Sequence, residues 1–524
     1  MTKITPKTSK LQFADLHLHS TLRPFAQFCV KPDDEKASIW YQDKAPDNPS
    51  GRAKNYTQSD FTSLTQGGVK LAFTAMYPIE QGWFDILEAL GITSDDDLEM
   101  ILNFVQNKKS KNKHPIFGRL EKVLEDKKDK DDIIDEIIAI IGHFVTSLPV
   151  KRIREIIEPT YNYYEALKEE LNYLENQCNS SGKKAVIPEN RDELLTLLDD
   201  DETIVVIPTI EGGASFVGGN AETIENKNLD FSQIKANIRE IKTAHKVFFV
   251  TLSHHFYNGF NGHAQSVYGT GRVGVDQMLG KGNIITENGW EIVRQLLSIG
   301  EYKDKNEGKR ILIDTKHLSV PARIEYYNFI AKYNAKNPSD NIPIISSHSA
   351  FSGINKIEDI GANSGYYSEY EVNIAEQEVE AIYNSKGLIG LNFDQNVLSK
   401  KPKNAGKKAT KNWSNEEWAQ LFVDNLLGMV EAFAAKKDSL NINIWDIFTI
   451  GSDFDGFIDP TNSFATAVKL PLLKATLIEV LGESKKFKEL SFGLSAETVV
   501  EKFMGQNAIE FIKRNYWKRE ELSA

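Results

Sequence analysis

Eight short runs of apolar, mostly β-branched residues recur along the chain and constrain its fold more than any other feature of the sequence. The runs occupy residues 11–16, 69–76, 203–210, 247–252, 310–314, 342–346, 387–393 and 447–450. Most are continuous rather than alternating, which is typical of parallel strands covered on both faces. Stretches with helical spacing lie between them, the clearest at 290–299, 376–383 and 418–435. This order predicts an α/β chain folded as a (β/α)8 barrel of the TIM type.

One connection is much longer than a barrel crossover needs. Residues 77–202 separate the second and third runs, and isoleucines between 133 and 141 repeat at helical spacing. We therefore predict that residues 1–83 and 201–524 form the barrel. Residues 84–200 would form a large helical insertion between strands 2 and 3.

Composition excludes several classes of protein. Hydrophobic residues make up 41% of the chain, enough for a large core, and 62 basic against 74 acidic residues leave a net charge of −12. That charge argues against general nucleic-acid binding. Two cysteines, Cys29 and Cys178, predict free thiols rather than a disulfide framework. Because we find no signal peptide and no run of apolar residues long enough to span a membrane, we expect a cytoplasmic protein. The sequence leaves the oligomeric state open, a homo-oligomer included.

Imidazole and carboxylate side chains follow five of the eight runs. The set comprises His17, His19, Glu211, His317, His348 and Asp453. Because the carboxyl ends of barrel strands meet at one mouth, we expect these side chains to converge. Imidazole with carboxylate is the ligand mix of Zn²⁺ and similar ions, so the pattern predicts a metal-dependent hydrolase. Taken singly, each residue could instead be a hydrogen-bonded core histidine or a carboxylate in a salt bridge at the rim.

The local context of each residue sharpens the prediction. His17 and His19 are two apart on a strand and should share one face. Glu211 ends an apolar strand, where an unpaired carboxylate would cost several kcal/mol. His254 ends the fourth strand and is either a further ligand or a catalytic electrophile. His255 should point the opposite way, and Asp455 could support the site or form a turn.

Seven motifs occur in the same order as in a known family. They are Asp15-Leu-His-Leu-His19, Gly67-Gly68-Val69, Ile210-Glu-Gly-Gly213, Thr251-Leu-Ser-His254, Ile313-Asp-Thr-Lys-His-Leu-Ser319, Ile345-Ser-Ser-His-Ser349 and Gly451-Ser-Asp-Phe-Asp-Gly456. Together they resemble the membrane dipeptidase (renal dipeptidase) family of the amidohydrolase superfamily. The resemblance covers the barrel and not residues 84–200.

The resemblance implies a dipeptidase-like enzyme that cleaves a small amide or peptide bond with two zinc ions. Glu211 would bridge the ions, His17, His19 and Asp453 would complete one site, and His317 and His348 would complete the other. Asp453 would also move the proton during hydrolysis, and His254 would bind the substrate's carbonyl oxygen.

Two departures from the family pattern concern substrate binding and the first motif. The family has His-x-Asp where this chain has His17-x-His19, a pattern typical of the wider superfamily. The family's carboxylate-binding arginine is replaced by Val372. Arg23 or Arg272 could take over its role.

Two other functions fit parts of the sequence. The segment Asp15-Leu-His-Leu-His-Ser20 matches the opening motif of metal-dependent phosphoesterases of the polymerase-and-histidinol-phosphatase type. A non-catalytic binding protein that kept the barrel is the third candidate.

Overall fold

The (β/α)8 prediction is confirmed. A computed structural model describes residues 10–46, 49, 56–84, 138–139, 142–143, 146–182, 184–267, 276–362, 364–434 and 444–519. Within these residues, eight parallel strands close into a barrel surrounded by helices, with a short ninth strand beside it. The strands are β1 (Phe13–Leu18), β2 (Val69–Met76), β3 (Ala185–Val186), β4 (Ile204–Glu211), β5 (Phe249–Thr251), β6 (Leu312–Asp314), β7 (Ile345–Ser349), β8 (Leu388–Leu391) and β9 (Phe448–Ile450).

Two pairings between distant parts of the sequence close the ring. β2 pairs with β4 from Leu71 and Val205 to Met76 and Ile210. β1 pairs with β9 through Asp15 and Ile450. β3 was not predicted; it pairs only with the start of β4.

The continuous apolar runs reflect burial on both faces of the sheet. Every residue of β2 and of β4 is buried. Space is tightest where β7, β8 and β9 meet, because a Cβ atom on Gly390 or Gly451 would lie 1.8 Å from the Ser347 carbonyl oxygen. Only glycine at these two positions lets the strands approach so closely.

Helices cover the outside of the barrel. They are α1 (Leu22–Val30), α2 (Phe61–Gly67), α3 (Val150–Ile157), α4 (Tyr163–Asn179), α5 (Arg191–Asp199), α6 (Ala221–Glu225), α7 (Phe231–Ala244), α8 (Glu287–Leu296), α9 (Val320–Lys336), α10 (Glu376–Asn384), α11 (Gln395–Leu398), α12 (Lys401–Ala405), α13 (Lys407–Thr410), α14 (Asn415–Ala434), α15 (Leu470–Glu483), α16 (Lys485–Leu490), α17 (Ala496–Glu501) and α18 (Asn507–Asn515). The three helical stretches singled out in the sequence correspond to α8, α10 and α14. No helix of the described residues is both long and apolar enough to cross a membrane.

The connection between β2 and β4 includes helices that touch the barrel. Glu170 on α4 accepts hydrogen bonds from the Thr21 hydroxyl at 2.5 Å and from the Tyr77 backbone N–H at 2.8 Å. This links α4 to the chain just beyond β1 and β2. Residues 85–137, nearly half of the predicted insertion, lie outside the described residues, so its limits at 84 and 200 remain a prediction. Both cysteines are free.

Candidate metal centre

The predicted ligands meet at one end of the barrel. His17 and His348 lie within β1 and β7, and Glu211 is the last residue of β4. The other three predicted ligands follow β1, β6 and β9 by no more than a few residues. Three overlapping groups place their nitrogen and oxygen atoms within 4.8 Å of one another; they are His17, His19 and Glu211, then Glu211, His317 and His348, and then His17, His348 and Asp453.

Glu211 lies between two pairs of histidines. The Nε2 atoms of His17 and His19 are 3.1 Å apart, and those of His317 and His348 are 3.2 Å apart. Glu211 Oε1 is 3.4 Å from Nε2 of both His17 and His348, and 3.7 Å from that of His317. Glu211 Oε2 is 3.1 Å from His19 Nε2. One carboxylate therefore contacts both pairs.

Asp453 approaches the first histidine pair from the solvent side. Its Oδ1 is 3.4 Å from His19 Nε2, and its Oδ2 accepts a hydrogen bond from Asn392 Nδ2 at 3.4 Å. The Asp453 side chain is 13% exposed, against 3% for Glu211. Its backbone has a φ of 61°. Such a conformation is uncommon outside glycine and is concentrated at functional sites.

A layer of hydrogen bonds orients the ligands from behind. Asp314 Oδ2 accepts from the hydroxyls of Thr251 and Ser347, both at 2.6 Å. The Ser347 oxygen is in turn 2.8 Å from His348 Nδ1. Such outer contacts fix the ring orientation of metal-binding histidines. Asp314 and Ser347 lie within the two histidine motifs, but no role was predicted for either from the sequence.

The electrostatics of the cluster suit divalent cations. Burial alone would raise the pKa of Glu211, but the neighbouring His254 and His17 hold it well below its ordinary value. Burial lowers the pKa of His317 and His348, which keeps their rings neutral and their lone pairs available. Glu211 Oε1 is buried and accepts no hydrogen bond within the described residues. An anionic oxygen without a donor, beside the neutral imidazoles of His317 and His348, fits a metal ion of the zinc type.

His254 is held by a glutamate that the sequence analysis did not identify. Its Nδ1 is 2.9 Å from Glu80 Oε2, while its Nε2 is 3.5 Å from Glu211 Oε2. The Tyr77 hydroxyl also donates to Glu80, at 3.1 Å. Burial lowers the pKa of His254, but the Glu211 and Glu80 carboxylates outweigh burial and raise it above its ordinary value. Glu80 comes from the loop after β2, where no sequence pattern marked it.

The prediction that His255 points away from the site is wrong. The centroid of its ring is 3.6 Å from that of His254 and 5.1 Å from that of His317. The expectation assumed strand alternation, but β5 ends at Thr251 and both histidines lie in the loop that follows.

Asp455, the second carboxylate of the motif that contains Asp453, accepts hydrogen bonds from the backbone N–H groups of Gln58 and Ser59. It therefore anchors the loop that contains Gln58 and Ser59.

The substrate-binding candidates differ in what surrounds them. Arg23 Nε is 3.4 Å from Asp455 Oδ1, and Arg23 Nη1 donates to the Tyr56 carbonyl oxygen at 3.1 Å. It lines a cavity of about 610 Å³ together with Ser20, Tyr56 and Asp455. Val372 is buried, and Lys316 Nζ donates to its carbonyl oxygen at 3.4 Å. Arg272 lies outside the described residues.

Comparison with known proteins establishes the fold. No family model matches the chain, and no curated protein matches it. A solved metallo peptidase from Rhodobacter sphaeroides, bound to a phosphinate mimic of the dipeptide L-Ala-D-Ala, is 14% identical with a TM-score of 0.53, covering 97% of this chain and 100% of that one. A solved dipeptidase, described as a metallo peptidase of family M19, is 13% identical with a TM-score of 0.51, covering 97% and 99%. At these identities the likeness concerns the barrel and its helices.

Proposed function

We propose that this protein is a hydrolase that uses two divalent metal ions, most simply zinc, to cleave a small amide or peptide bond. The observation behind the proposal is the position of Glu211 between two histidine pairs. His17, His19 and Asp453 would hold one ion, His317 and His348 the other, and Glu211 would bridge them. The similar solved structures, which are named as peptidases, support a dipeptidase-like substrate.

The side chains around the centre have distinct roles in this proposal. When bound, two divalent ions would acidify a water molecule and polarise the scissile carbonyl, so no serine or cysteine nucleophile is required. Asp453 is the carboxylate most open to solvent, and it would take the proton from water and pass it to the leaving amine. His254, held by Glu80, would donate Nε2–H to the carbonyl oxygen as negative charge develops there.

The binding of the substrate's carboxylate is assigned to Arg23 or Arg272. Arg23 lines the same cavity as Ser20, which directly follows the proposed metal ligand His19 in the sequence. Its ion pair with Asp455 would have to open or be shared for that role. The cytoplasmic location expected from the sequence belongs to the same proposal.

Metal counting on purified protein, beside a substrate panel, tests the proposal. We expect two ions per chain and hydrolysis of dipeptides but not of p-nitrophenyl phosphate. Glu211→Gln should weaken both metal sites, because a neutral amide is a poor bridge between cations. Unchanged metal content in Glu211→Gln would contradict the bridging role, and phosphatase activity without peptidase activity would contradict the substrate class.

A further inference from the structure

Three histidines form a second cluster of nitrogen donors beside the proposed metal pair. A ring nitrogen from each of His254, His255 and His317 lies within 4.8 Å of the other two. The His254 ring centroid is 3.6 Å from that of His255 and 4.7 Å from that of His317. His255 has no part in the proposed pair of metal sites, so its place in the cluster is not explained by them.

Two of these rings are held through Nδ1, which leaves Nε2 free to bind a metal. His254 Nδ1 is 2.9 Å from Glu80 Oε2, and His255 Nδ1 is 2.6 Å from the Ser266 hydroxyl oxygen. Metal-binding histidines are characteristically anchored in this way. The third ring, His317, has a buried Nδ1 with no hydrogen-bond partner within the described residues.

Negative charge for a cation at this position is close by. Glu80 is 3% exposed and contacts the back of the His254 ring. Glu211 Oε2 lies 3.5 Å from His254 Nε2 on the other side. The buried Glu80 carboxylate, which holds no ion of the main pair, reduces the repulsion that a further cation would experience from the ions held by Glu211.

We propose that His254, His255 and His317 form an additional, weaker site for a divalent cation, and that a cation bound there inhibits the enzyme. Three imidazoles are a ligand set suited to Zn²⁺. The site is weaker than the main pair because His317 Nε2 faces that pair. His317 would therefore bind the additional cation through Nδ1, and only after releasing the Nδ1 proton to solvent. Inhibition follows because His254 Nε2 would bind the cation in place of the substrate's carbonyl oxygen. The inhibitory effect rests on the proposed function, whereas the metal site itself does not.

A zinc titration of the holoenzyme tests the proposal. The enzyme with its tightly bound metal is dialysed against increasing free Zn²⁺, bound zinc is counted by elemental analysis, and dipeptide hydrolysis is measured in parallel. His255→Phe keeps an aromatic ring against His254 but removes the nitrogen donor. We expect the wild type to bind one more ion than His255→Phe, and the inhibitory zinc concentration to rise at least ~10-fold in the variant.

His245→Phe is the matched control. His245 Nδ1 is also anchored by a carboxylate, Glu175 at 2.9 Å, but His245 is not one of the three histidines. This variant should bind and respond to zinc as the wild type does. The same additional zinc in His255→Phe as in the wild type would overturn the proposal, as would loss of the tightly bound metal in that variant. Melting temperatures establish that each variant is folded. If the protein hydrolyses no dipeptide but still binds the additional ion, the proposed hydrolase function and its inhibition by zinc are refuted. The additional metal site is not refuted by that result.

Discussion

At the scale of single residues, the expected chemistry is divided between Asp453, a proposed metal ligand, and His254, which lies beside the ligands. The Asp453 side chain is 13% exposed, so it can contact both water and substrate. His254 is fully enclosed and has its orientation set by Glu80. A proton carrier needs the first environment, and a fixed hydrogen-bond donor needs the second.

Asp453→Asn should lower kcat by at least ~10²-fold, the lower end for loss of a general acid–base group. The asparagine keeps the shape and the contact with Asn392 but cannot accept a proton. The neighbouring Asp455→Asn is a control for kcat alone, because Asp455 is not a proposed metal ligand; its loss should reduce stability and, through the ion pair with Arg23, change KM. Near-native kcat in Asp453→Asn would remove Asp453 from the mechanism.

His254→Ala should lower kcat by roughly 10²–10³-fold, as removal of one oxyanion donor does. The content of tightly bound metal should stay the same, because His254 is not a ligand of the proposed pair. Glu80→Gln should give a smaller loss, since the amide oxygen can still accept from His254 Nδ1. Loss of tightly bound metal together with activity in His254→Ala would show that His254 is a ligand instead.

At the scale of helices and strands, a buried lysine makes stability depend on pH. Lys242 on α7 is fully buried, and its ammonium donates to the Gln295 carbonyl oxygen and to the Ser298 hydroxyl at 3.1 Å. Burial lowers the pKa of Lys242 to about 7. In the unfolded chain the same group has a pKa of about 10.4.

Between pH 7 and pH 10 the unfolded chain therefore binds a proton at Lys242 that the folded protein does not. Folding stability should rise with pH over this window, by about 1.4 kcal/mol per pH unit from this group. Lys242→Met should remove that part of the pH dependence. Denaturant unfolding at several pH values measures how the free energy of unfolding changes with pH. The same slope of that free energy against pH in the variant and in the wild type would contradict the prediction.

The elements of the barrel could be predicted from the sequence, whereas parts of the site could not. Continuous apolar runs located all eight barrel strands because burial on both faces leaves no other pattern. His17 and His19 were placed on one face because strand pairing continues one residue past the end of β1, where the His19 N–H donates to the Phe454 carbonyl oxygen at 2.8 Å. His255 was misplaced because that rule fails beyond the end of β5. Glu80 was missed because a loop brings it to the site, and loop geometry has no periodicity to read.

At the scale of the whole molecule, the proposed metal ions would help to hold the barrel together. The six proposed ligands come from five strands that are far apart in the sequence. Ions bound to all of them would stabilise the folded state relative to the unfolded chain, by about 4 kcal/mol for each ion at a free metal concentration 1,000 times its dissociation constant.

Removing metal with a chelator should therefore lower the melting temperature, and adding zinc back should restore it. In a Glu211→Gln variant, the melting temperatures of metal-free and metal-loaded samples should differ less than in the wild type, because the variant binds metal more weakly. A melting temperature that is the same with and without chelator, in protein shown to lose its metal, would contradict this coupling.

The pairing of β1 with β9 also has a consequence for the synthesis of the chain. Asp15 is synthesised long before its partner Ile450. At the usual elongation rates, about 20–90 s separate the two. Throughout that interval one edge of β1 is without its partner, and a bare strand edge readily pairs with the wrong chain. We therefore expect the nascent protein to need chaperones, or fast translation, to keep that edge from wrong pairing until β9 is made.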